Sequence, residues 1–436
     1  MVIQSIQTAL MLFLSVLYAV LILLLLIPRK RSGVRLRPDA TTYAPPLSIL
    51  IPAYNEGKNI GPTLQSLLKA AYPNEKEIIV IDDGSRDRTV AIVEEFQRRG
   101  PNIRLIQTNR LGKARVLNAA LKQATHEALI VLDADTTVAP EALLAIVQPL
   151  SSPEVAAVAA NVRAIPTRKF LTWFQELEYT LSSAWRAAQH TLKTVSVVPQ
   201  FFAAKKSALE KIGGIPAETA TEDFDVCLEL TRAGYRIAME EEAVGFTAVP
   251  ETISGLFRQR TRWARGTLQV IAKHRGLFLK KDFLPLWLFV LPVVLYWYLH
   301  ALLYLPTTFY KIGHDYWFYF LHKGQFFSFE VIKYFLGWFT LFGVGRMIFQ
   351  IITGWLTPTF FYGVVLLVCT LSYSLTFLSV FRFSGGISKR QALAIFCFFP
   401  YCLLTLSAIF YGLFRECASL GRAKIIESRV RWEKSL

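Results

Sequence analysis

Long runs without a charged residue constrain this chain more than any other feature of its sequence. Residues 9–27 are 19 consecutive uncharged positions, close to the roughly 20 residues with which a helix crosses about 30 Å of hydrocarbon. Further apolar segments lie at about 284–306, 334–356, 359–380 and 391–413. A cleaved signal peptide is the alternative for the first run, but its positive charge follows the run and no small-residue cleavage site appears. The sequence therefore predicts five membrane crossings, the first a retained anchor.

Basic residues crowd beside these apolar runs and give the chain a net charge of +16. Residues 28–37 hold five basic and no acidic residues, and the tail 415–436 is also rich in Lys and Arg. Such clusters mark cytoplasmic ends of spans and attract anionic lipid headgroups, whereas a nucleic-acid surface would carry interleaved aromatic residues on one face. We expect an integral protein of the plasma (inner) membrane, bound to membrane lipid and not to nucleic acid. Five crossings would leave Arg382, Lys389 and Arg390 outside.

Residues 47–250 change character and alternate short apolar runs with amphipathic stretches. The order is βαβαβα, which predicts an open parallel sheet with helices on both faces. Acidic clusters follow two of the strands, at the edge where ligands of such sheets bind. The five cysteines form no CxxC pair, so neither a disulfide scaffold nor a cysteine zinc site is expected.

Several polar residues suit chemistry on a diphosphate. Asp133 and Asp135, one residue apart after a strand, suit a hard divalent cation that also binds phosphate. Lys113, at a helix start, suits a phosphate contact. Asp223 suits a general base, and Asp83 an acceptor of hydrogen bonds from a base or ribose.

Two further residues complete this set, and each member also has an ordinary structural explanation. Arg262 could brace a departing diphosphate, and Trp263 could stack on a sugar face. However, Asp-Gly-Ser at 83–85 makes a good turn, Thr-Glu-Asp at 221–223 can cap a helix, and an Asp-x-Asp arises by chance. The arginines could simply contact lipid phosphates. The order and spacing of these motifs on one α/β pattern favour the functional interpretation.

This ordered set resembles family-2 glycosyltransferases, and especially the membrane-embedded synthases of poly-N-acetylglucosamine, hyaluronan, chitin and cellulose. The resemblance covers about residues 47–270. The motifs that carry it are IPAYNE (51–56), DDGSRDRT (82–89), GKARVLNAAL (112–121), LDADT (132–136), TEDFDVCLELTRAGYRI (221–237) and QRTRWARG (259–266).

The resemblance implies an α/β GT-A domain fused to an α-helical transmembrane region. It also implies a metal-dependent inverting enzyme that takes a nucleotide-sugar donor, usually a UDP-sugar, with Mg²⁺ or Mn²⁺. The expected domains are a membrane anchor with its basic flank (1–37), a cytoplasmic GT-A domain (38–250), interfacial helices with the QxxRW motif (251–283), transmembrane helices (284–414) and a basic cytoplasmic tail (415–436).

The roles that the resemblance implies fall on residues of the quoted motifs. Asp223 and Glu222 are expected to be catalytic, with Asp223 as the base, and Trp263 is expected to contact the acceptor. Asp133 and Asp135 are the expected metal ligands. The expected donor-binding residues are Ala53, Glu56, Asp83, Lys113, Asp133, Gln259 and Arg262.

The acceptor is left open between a growing glycan and a membrane lipid. A processive synthase would elongate a β-linked polysaccharide and export it through its own helices. A single-transfer enzyme would place a sugar on diacylglycerol or a polyprenyl carrier, and the departure from the family's pattern at Pro199 favours this reading mildly. A catalytically silent scaffold predicts the loss of a carboxylate, and a transporter predicts internal repeats. Neither feature is present.

Overall fold

The computed structural model describes residues 2–27, 42–100, 102–277 and 280–433. The predicted basic flank 28–37 and the last three residues of the tail lie outside these ranges. The chain forms one eight-stranded sheet with its helices, followed by a helical region. The strands are β1 (Leu47–Ala53), β2 (Lys76–Asp82), β3 (Ile103–Gln107), β4 (Ala128–Leu132), β5 (Thr136–Val138), β6 (Val155–Ala164), β7 (Phe201–Lys205) and β8 (Arg236–Thr247).

The sheet is parallel in its first half and mixed in its second. Its order is β3-β2-β1-β4-β7-β6-β8-β5, and the strands β1 to β4 are parallel as the alternation predicts. β7 is antiparallel to both β4 and β6, and β5 is antiparallel to β8. The predicted parallel sheet is therefore correct for β1 to β4, and the antiparallel pairings of β5 and β7 make the complete sheet mixed. A short apolar run reads the same in either direction, and the chain connections decide its direction.

Two hydrophobic cores cover the two faces of the sheet. Ile78 and Val80 belong to one core, whereas Ile79 and Ile81 belong to the other, as the two-residue period of a strand requires. The helices that accompany the sheet are α1 (Val2–Leu26), α2 (Ile60–Lys69), α3 (Thr89–Arg99), α4 (Lys113–Gln123), α5 (Ala142–Val147), α6 (Phe170–Thr191), α7 (Lys206–Lys211), α8 (Glu222–Arg232) and α9 (Ile253–Lys273).

The region after α9 is almost entirely helical. It contains α10 (Leu291–Leu299), α11 (Leu305–Tyr319), α12 (Phe329–Phe339), α13 (Phe342–Ile352), α14 (Phe360–Ser384), α15 (Lys389–Phe396) and α16 (Phe398–Glu433). π-helical turns at Leu286–Val290 and His300–Tyr304 join α10 and α11 to their neighbours. The aromatic-rich residues 307–333 are thus mostly helical, and their scattered charges do not prevent helix formation.

Four helices are long and apolar enough to cross a membrane within the described ranges. They are Gln4–Leu26, Leu286–Lys323, Phe360–Ser384 and Phe398–Ser419. The span expected at 334–356 is instead the pair α12 and α13, bent by 102°. Gly343 packs against the backbone of Gly337 at this bend, and a β-carbon on Gly343 would come within 1.9 Å of the Gly337 carbonyl oxygen.

The end of α14 lies against the α/β domain. Arg382 donates from Nε and Nη2 to the two carboxylate oxygens of Glu241 in β8, at 2.9 and 2.8 Å, and from Nη1 to the carbonyl of Leu25. Gln391 in α15 donates to Glu176 in α6 at 3.2 Å. The expectation that Arg382, Lys389 and Arg390 lie on the side opposite the domain is therefore wrong for Arg382, because its ion pair with Glu241 holds it against the domain. Lys389 and Arg390 lie in the chain between Arg382 and Gln391, both of which contact the domain.

Candidate active site

A cavity of about 150 Å³ opens beside the carboxyl end of β4. Separate parts of the chain line it, among them the start of α4, the turn after β4, the start of α8 and the middle of α9. Eight of the residues predicted from the sequence meet here: Lys113, Asp133, Asp135, Glu222, Asp223, Gln259, Arg262 and Trp263.

Lys113 connects two of the acidic motifs. It is the first residue of α4, after Gly112, whose φ of +89° is readily adopted by glycine. Its Nζ lies 2.8 Å from Asp133 Oδ1 and 2.9 Å from Glu222 Oε1. Burial acts to lower the pKa of Lys113, but the two carboxylates outweigh it and raise the pKa. Lys113 is therefore a fixed positive charge in the cavity.

Glu222 and Asp223 are adjacent in sequence but differ in electrostatics. Burial acts to raise the pKa of Glu222, yet the ion pair with Lys113 lowers it overall. For Asp223, burial and then the neighbouring Glu222 raise the pKa to about 6. Asp223 Oδ1 accepts a hydrogen bond from the Phe224 amide at 2.9 Å. A carboxylate with a pKa near 6 suits a general base at neutral pH, so these opposite pKa shifts favour Asp223 over Glu222 for this role.

Asp133 and Asp135 form an acidic centre with Glu56. The Asp133 amide donates to the Gln200 carbonyl at 2.9 Å, a bond that the antiparallel strand β7 makes possible. Burial, then Asp133, then Glu56 raise the pKa of Asp135 to about 7. Among the residues that the structure describes, the donors to the Asp135 carboxylate are two hydroxyl groups, Thr136 Oγ1 at 3.2 Å and Thr247 Oγ1 at 3.3 Å. This oxygen-rich, electron-rich set fits Mg²⁺ or Mn²⁺.

Helix α9 brings the QxxRW residues to the other wall of the cavity. Gln259 and Trp263 lie one turn apart and share a face, and both are partly buried. Arg262 is exposed, and its Nη1 donates to the Ala220 carbonyl at 3.2 Å, just before the acidic start of α8. Thr252 caps this helix by accepting from the Gly255 amide.

Three of the predicted donor-binding residues do not line the cavity. The Asp83 carboxylate accepts hydrogen bonds from Thr108 Oγ1, Leu111 N and Gly112 N at 2.7–2.9 Å, and its own amide donates to the carbonyl of Ala53 at 2.8 Å. Asp83 therefore fixes the loop that precedes Lys113. The Glu56 carboxylate accepts a hydrogen bond from Asn59 Nδ2 at 2.7 Å, and its charge helps to raise the pKa of Asp135. Their nucleotide-binding roles stay predictions.

Sequence reasoning did not single out three further residues at the site. Tyr179 and Gln200 line the cavity, and Gln200 Nε2 donates a hydrogen bond to the Tyr179 hydroxyl at 3.2 Å. Arg260 lies directly behind it, with its guanidinium carbon 4.0 Å from the centroid of the Trp263 ring. Arg260 stands inside the QxxRW motif, but nothing in the spacing distinguished it from the neighbouring arginines.

Residues 48–213 match the profile of the family "Glycosyl transferase family 2". The match contains most of the motifs that carry the resemblance in the sequence and ends before the Glu-Asp and QxxRW motifs.

Curated relatives extend the similarity beyond that domain. The chain is 35% identical over 232 residues to a poly-beta-1,6-N-acetyl-D-glucosamine synthase of Staphylococcus epidermidis. The alignment covers 52% of this chain and 56% of the relative. It is 33% identical over 265 residues to the synthase of the same name from Staphylococcus aureus strain COL. That alignment covers 59% of this chain and 64% of the relative. The chain thus spans less than two thirds of the length of these relatives.

A solved structure shows the fold over most of the chain. A mannosyltransferase from Pyrobaculum calidifontis, in complex with GDP-Man and Mn²⁺, superposes with a TM-score of 0.59 at 21% identity and covers 88% of this chain and 99% of that one. The predicted glycosyltransferase fold of GT-A type, joined to apolar helices that could span a membrane, is thereby confirmed.

Proposed function

We propose that this protein is an inverting glycosyltransferase that elongates a β-linked polysaccharide from a UDP-sugar. One observation carries the proposal: Asp223, Asp135 and Lys113 meet in a single cavity beside Trp263, although Lys113 and Asp223 are 110 positions apart in sequence. A base, a cation-binding acid, a fixed positive charge and an aromatic face are the groups that sugar transfer from a diphosphate donor requires.

In the proposed reaction, the Asp223 carboxylate removes the proton from an acceptor hydroxyl. The hydroxyl oxygen then forms a bond to the anomeric carbon while the bond from that carbon to the diphosphate oxygen breaks. The electron pair leaves with the nucleoside diphosphate, and the configuration inverts. Lys113 and Arg262 lie where they would stabilise the negative charge that develops on the leaving group.

A divalent cation, Mg²⁺ or Mn²⁺, belongs to this proposal. Asp133 and Asp135 would hold it, and the assignment is supported by their shared place in the cavity and by the negative charge that Asp133 and Glu56 place near Asp135. Such an ion neutralises charge on a departing diphosphate.

N-acetylglucosamine is the sugar that we propose for the donor, because the two staphylococcal relatives are named for a polymer of it. Ala53, Glu56 and Asp83 are the proposed contacts of the nucleotide, and Trp263 is the proposed contact of the acceptor. We further propose that the α/β domain faces the cytoplasm at the plasma membrane. The exposed apolar surface of the four long helices supports a lipid environment.

Transfer of a single sugar to a membrane lipid is the second candidate. Pro199 lines the cavity next to Gln200, and its fixed φ and missing N–H change the backbone that an acceptor would meet. This observation favours an acceptor different from that of the polymer synthases.

Product size separates the two candidates. The purified chain in lipid nanodiscs would be incubated with radiolabelled UDP-N-acetylglucosamine and Mg²⁺, with Asp223→Asn as the inactive control. We expect a labelled ladder of high mass. A chloroform-extractable labelled product would favour transfer to a lipid over elongation of a polymer. The absence of released UDP with any UDP-sugar would refute sugar transfer from a UDP-sugar.

A further inference from the structure

Arg260 lies behind the cavity and contacts two residues that line it. Its Nη1 donates to Gln259 Oε1 at 2.6 Å, and its guanidinium carbon lies 4.0 Å from the centroid of the Trp263 ring. The Arg260 side chain is only 5% exposed. Because Gln259 and Trp263 are one helical turn apart, a single guanidinium group contacts both of them.

The other side of Arg260 is held by two different helices. Its Nη2 donates to Glu178 Oε2 of α6 at 2.6 Å and to the Tyr401 hydroxyl of α16 at 3.3 Å. The Tyr401 hydroxyl also donates to the Glu178 carboxylate. The ring of Tyr401 stacks on Phe174, with centroids 5.3 Å apart. Each of these polar contacts involves a charged group, and such hydrogen bonds are the stronger ones.

These partners decide how the guanidinium is oriented. A buried guanidinium needs a counter-charge and hydrogen-bond acceptors, and within the described ranges Arg260 Nε has none. The orientation therefore depends on the two Nη atoms, and hence on Glu178 and Tyr401. Tyr401 lies on α16, one of the helices that could span a membrane. A displacement of that helix would therefore move Arg260, and Arg260 would in turn change the position of the Trp263 ring.

We propose that Arg260, held by Glu178 and Tyr401, is a positioning residue that orients Trp263 and couples the acceptor side of the cavity to helix α16. The inference rests on the proposed function, in which Trp263 contacts the acceptor. Arg260 itself touches no reacting atom. It acts on the acceptor side of the cavity by its cation–π contact with the indole of Trp263.

Kinetics with varied acceptor test this role. Tyr401→Phe and Glu178→Gln each remove polar contacts and keep the shape of the side chain. We expect the KM for short N-acetylglucosamine oligomers to rise about tenfold, and the KM for the donor to change less than about threefold because Lys113 and the acidic motifs also bind it. Tyr411→Phe, which alters a 45% exposed tyrosine on the same helix, should change neither value.

A background variant shows whether Tyr401 acts through the arginine. In Arg260→Met protein, the added Tyr401→Phe change should leave the acceptor KM where Arg260→Met already put it, because the shared contact is gone. Additive effects of the two substitutions, or equal changes in the KM of donor and acceptor, would overturn the proposal.

A spectroscopic measurement is independent of activity. With 5-fluorotryptophan incorporated, the ¹⁹F resonance of Trp263 is assigned by its loss in Trp263→Phe. We expect it to move in Tyr401→Phe and Glu178→Gln and to stay in place in Tyr411→Phe. An unmoved resonance in both variants contradicts the positioning role. If the resonance moves in these variants but the wild-type protein releases no UDP, the positioning of Trp263 by Arg260 is supported, and only the proposed sugar transfer is refuted.

Discussion

Gly266 of α9 packs directly against Thr221, the residue that precedes the acidic start of α8. A β-carbon built on Gly266 would come within 2.5 Å of Thr221 Cγ2 and 2.9 Å of its backbone nitrogen. Glu222 and Asp223 follow immediately in the chain. The close approach of these two helices therefore sets the distance between the QxxRW residues and the proposed base, and only glycine permits it.

Replacing Gly266 by alanine should separate the two halves of the site. We expect Gly266→Ala to cost about 1–3 kcal/mol of unfolding free energy by overpacking and to reduce turnover at least tenfold, because Asp223 moves away from Trp263. Thermal unfolding and UDP release measure the two effects. Gly276→Ala is the matched control, since a β-carbon there meets no atom within 4 Å, and wild-type behaviour of Gly266→Ala would contradict the packing argument.

Asp223→Asn should remove turnover and leave donor binding intact. The amide keeps the size of the side chain but cannot take a proton, so we expect kcat to fall by about 10²–10⁴-fold. Burial raises the pKa of Asp223, which means that the ionised carboxylate destabilises the fold above its ordinary pKa. The melting temperature at pH 7.5 should therefore not fall. A kcat within tenfold of wild type would rule out Asp223 as the base.

The pH dependence of kcat should report the same carboxyl group. With a pKa of about 6, Asp223 is protonated and inactive as a base below that value and ionised above it. We expect kcat to rise about tenfold per pH unit below pH 6 and to level off above it. The measurement is UDP release at saturating substrates between pH 4.5 and 8. A flat profile through pH 6 would be inconsistent with this assignment.

Removal of one proposed metal ligand should abolish the effect of the cation on the donor. We expect wild-type protein to bind UDP at least tenfold more tightly with Mg²⁺ or Mn²⁺ than with EDTA, and Asp135→Asn to bind it equally in both. Isothermal calorimetry checks this difference. Asp282→Asn changes an exposed aspartate and should behave as wild type. Metal-sensitive binding in Asp135→Asn would disprove the ligand role.

The pair formed by Arg382 and Glu241 predicts the side of the membrane on which α14 ends. Lys389→Cys, introduced into a variant without the native cysteines, should react with an impermeant maleimide only in vesicles that expose the α/β domain. Labelling from the opposite face would mean that α14 ends away from the domain. Thr359→Cys, at the other end of α14, is the comparison and should show the reverse pattern.

Much of the site could be predicted because its chemistry is written in short motifs. The acids of LDADT, the Glu-Asp pair and the QxxRW residues all line one cavity. Short apolar runs that alternate with amphipathic stretches predicted strands β1 to β4 and their parallel arrangement, since strands joined by a helical crossover run in the same direction. Local patterns of this kind depend on the nearest few residues, and they can therefore be recognised from the sequence alone.

Other features depend on partners that no local pattern specifies. The sequence left Glu222 as a catalytic candidate, whereas the structure pairs it with Lys113, more than 100 positions away. Arg260 looked like its neighbours until Glu178 and Tyr401 were brought to it from two other helices.

The sequence by itself determined that this chain has an α/β half with acidic strand ends and an apolar helical half, because hydrophobic period and run length are properties of neighbouring residues. Only the tertiary structure decided the antiparallel entry of β7, the bend between α12 and α13, and the side on which Arg382 lies. Each of these rests on a contact between distant residues, and the energy of such a contact exists only when the chain has folded.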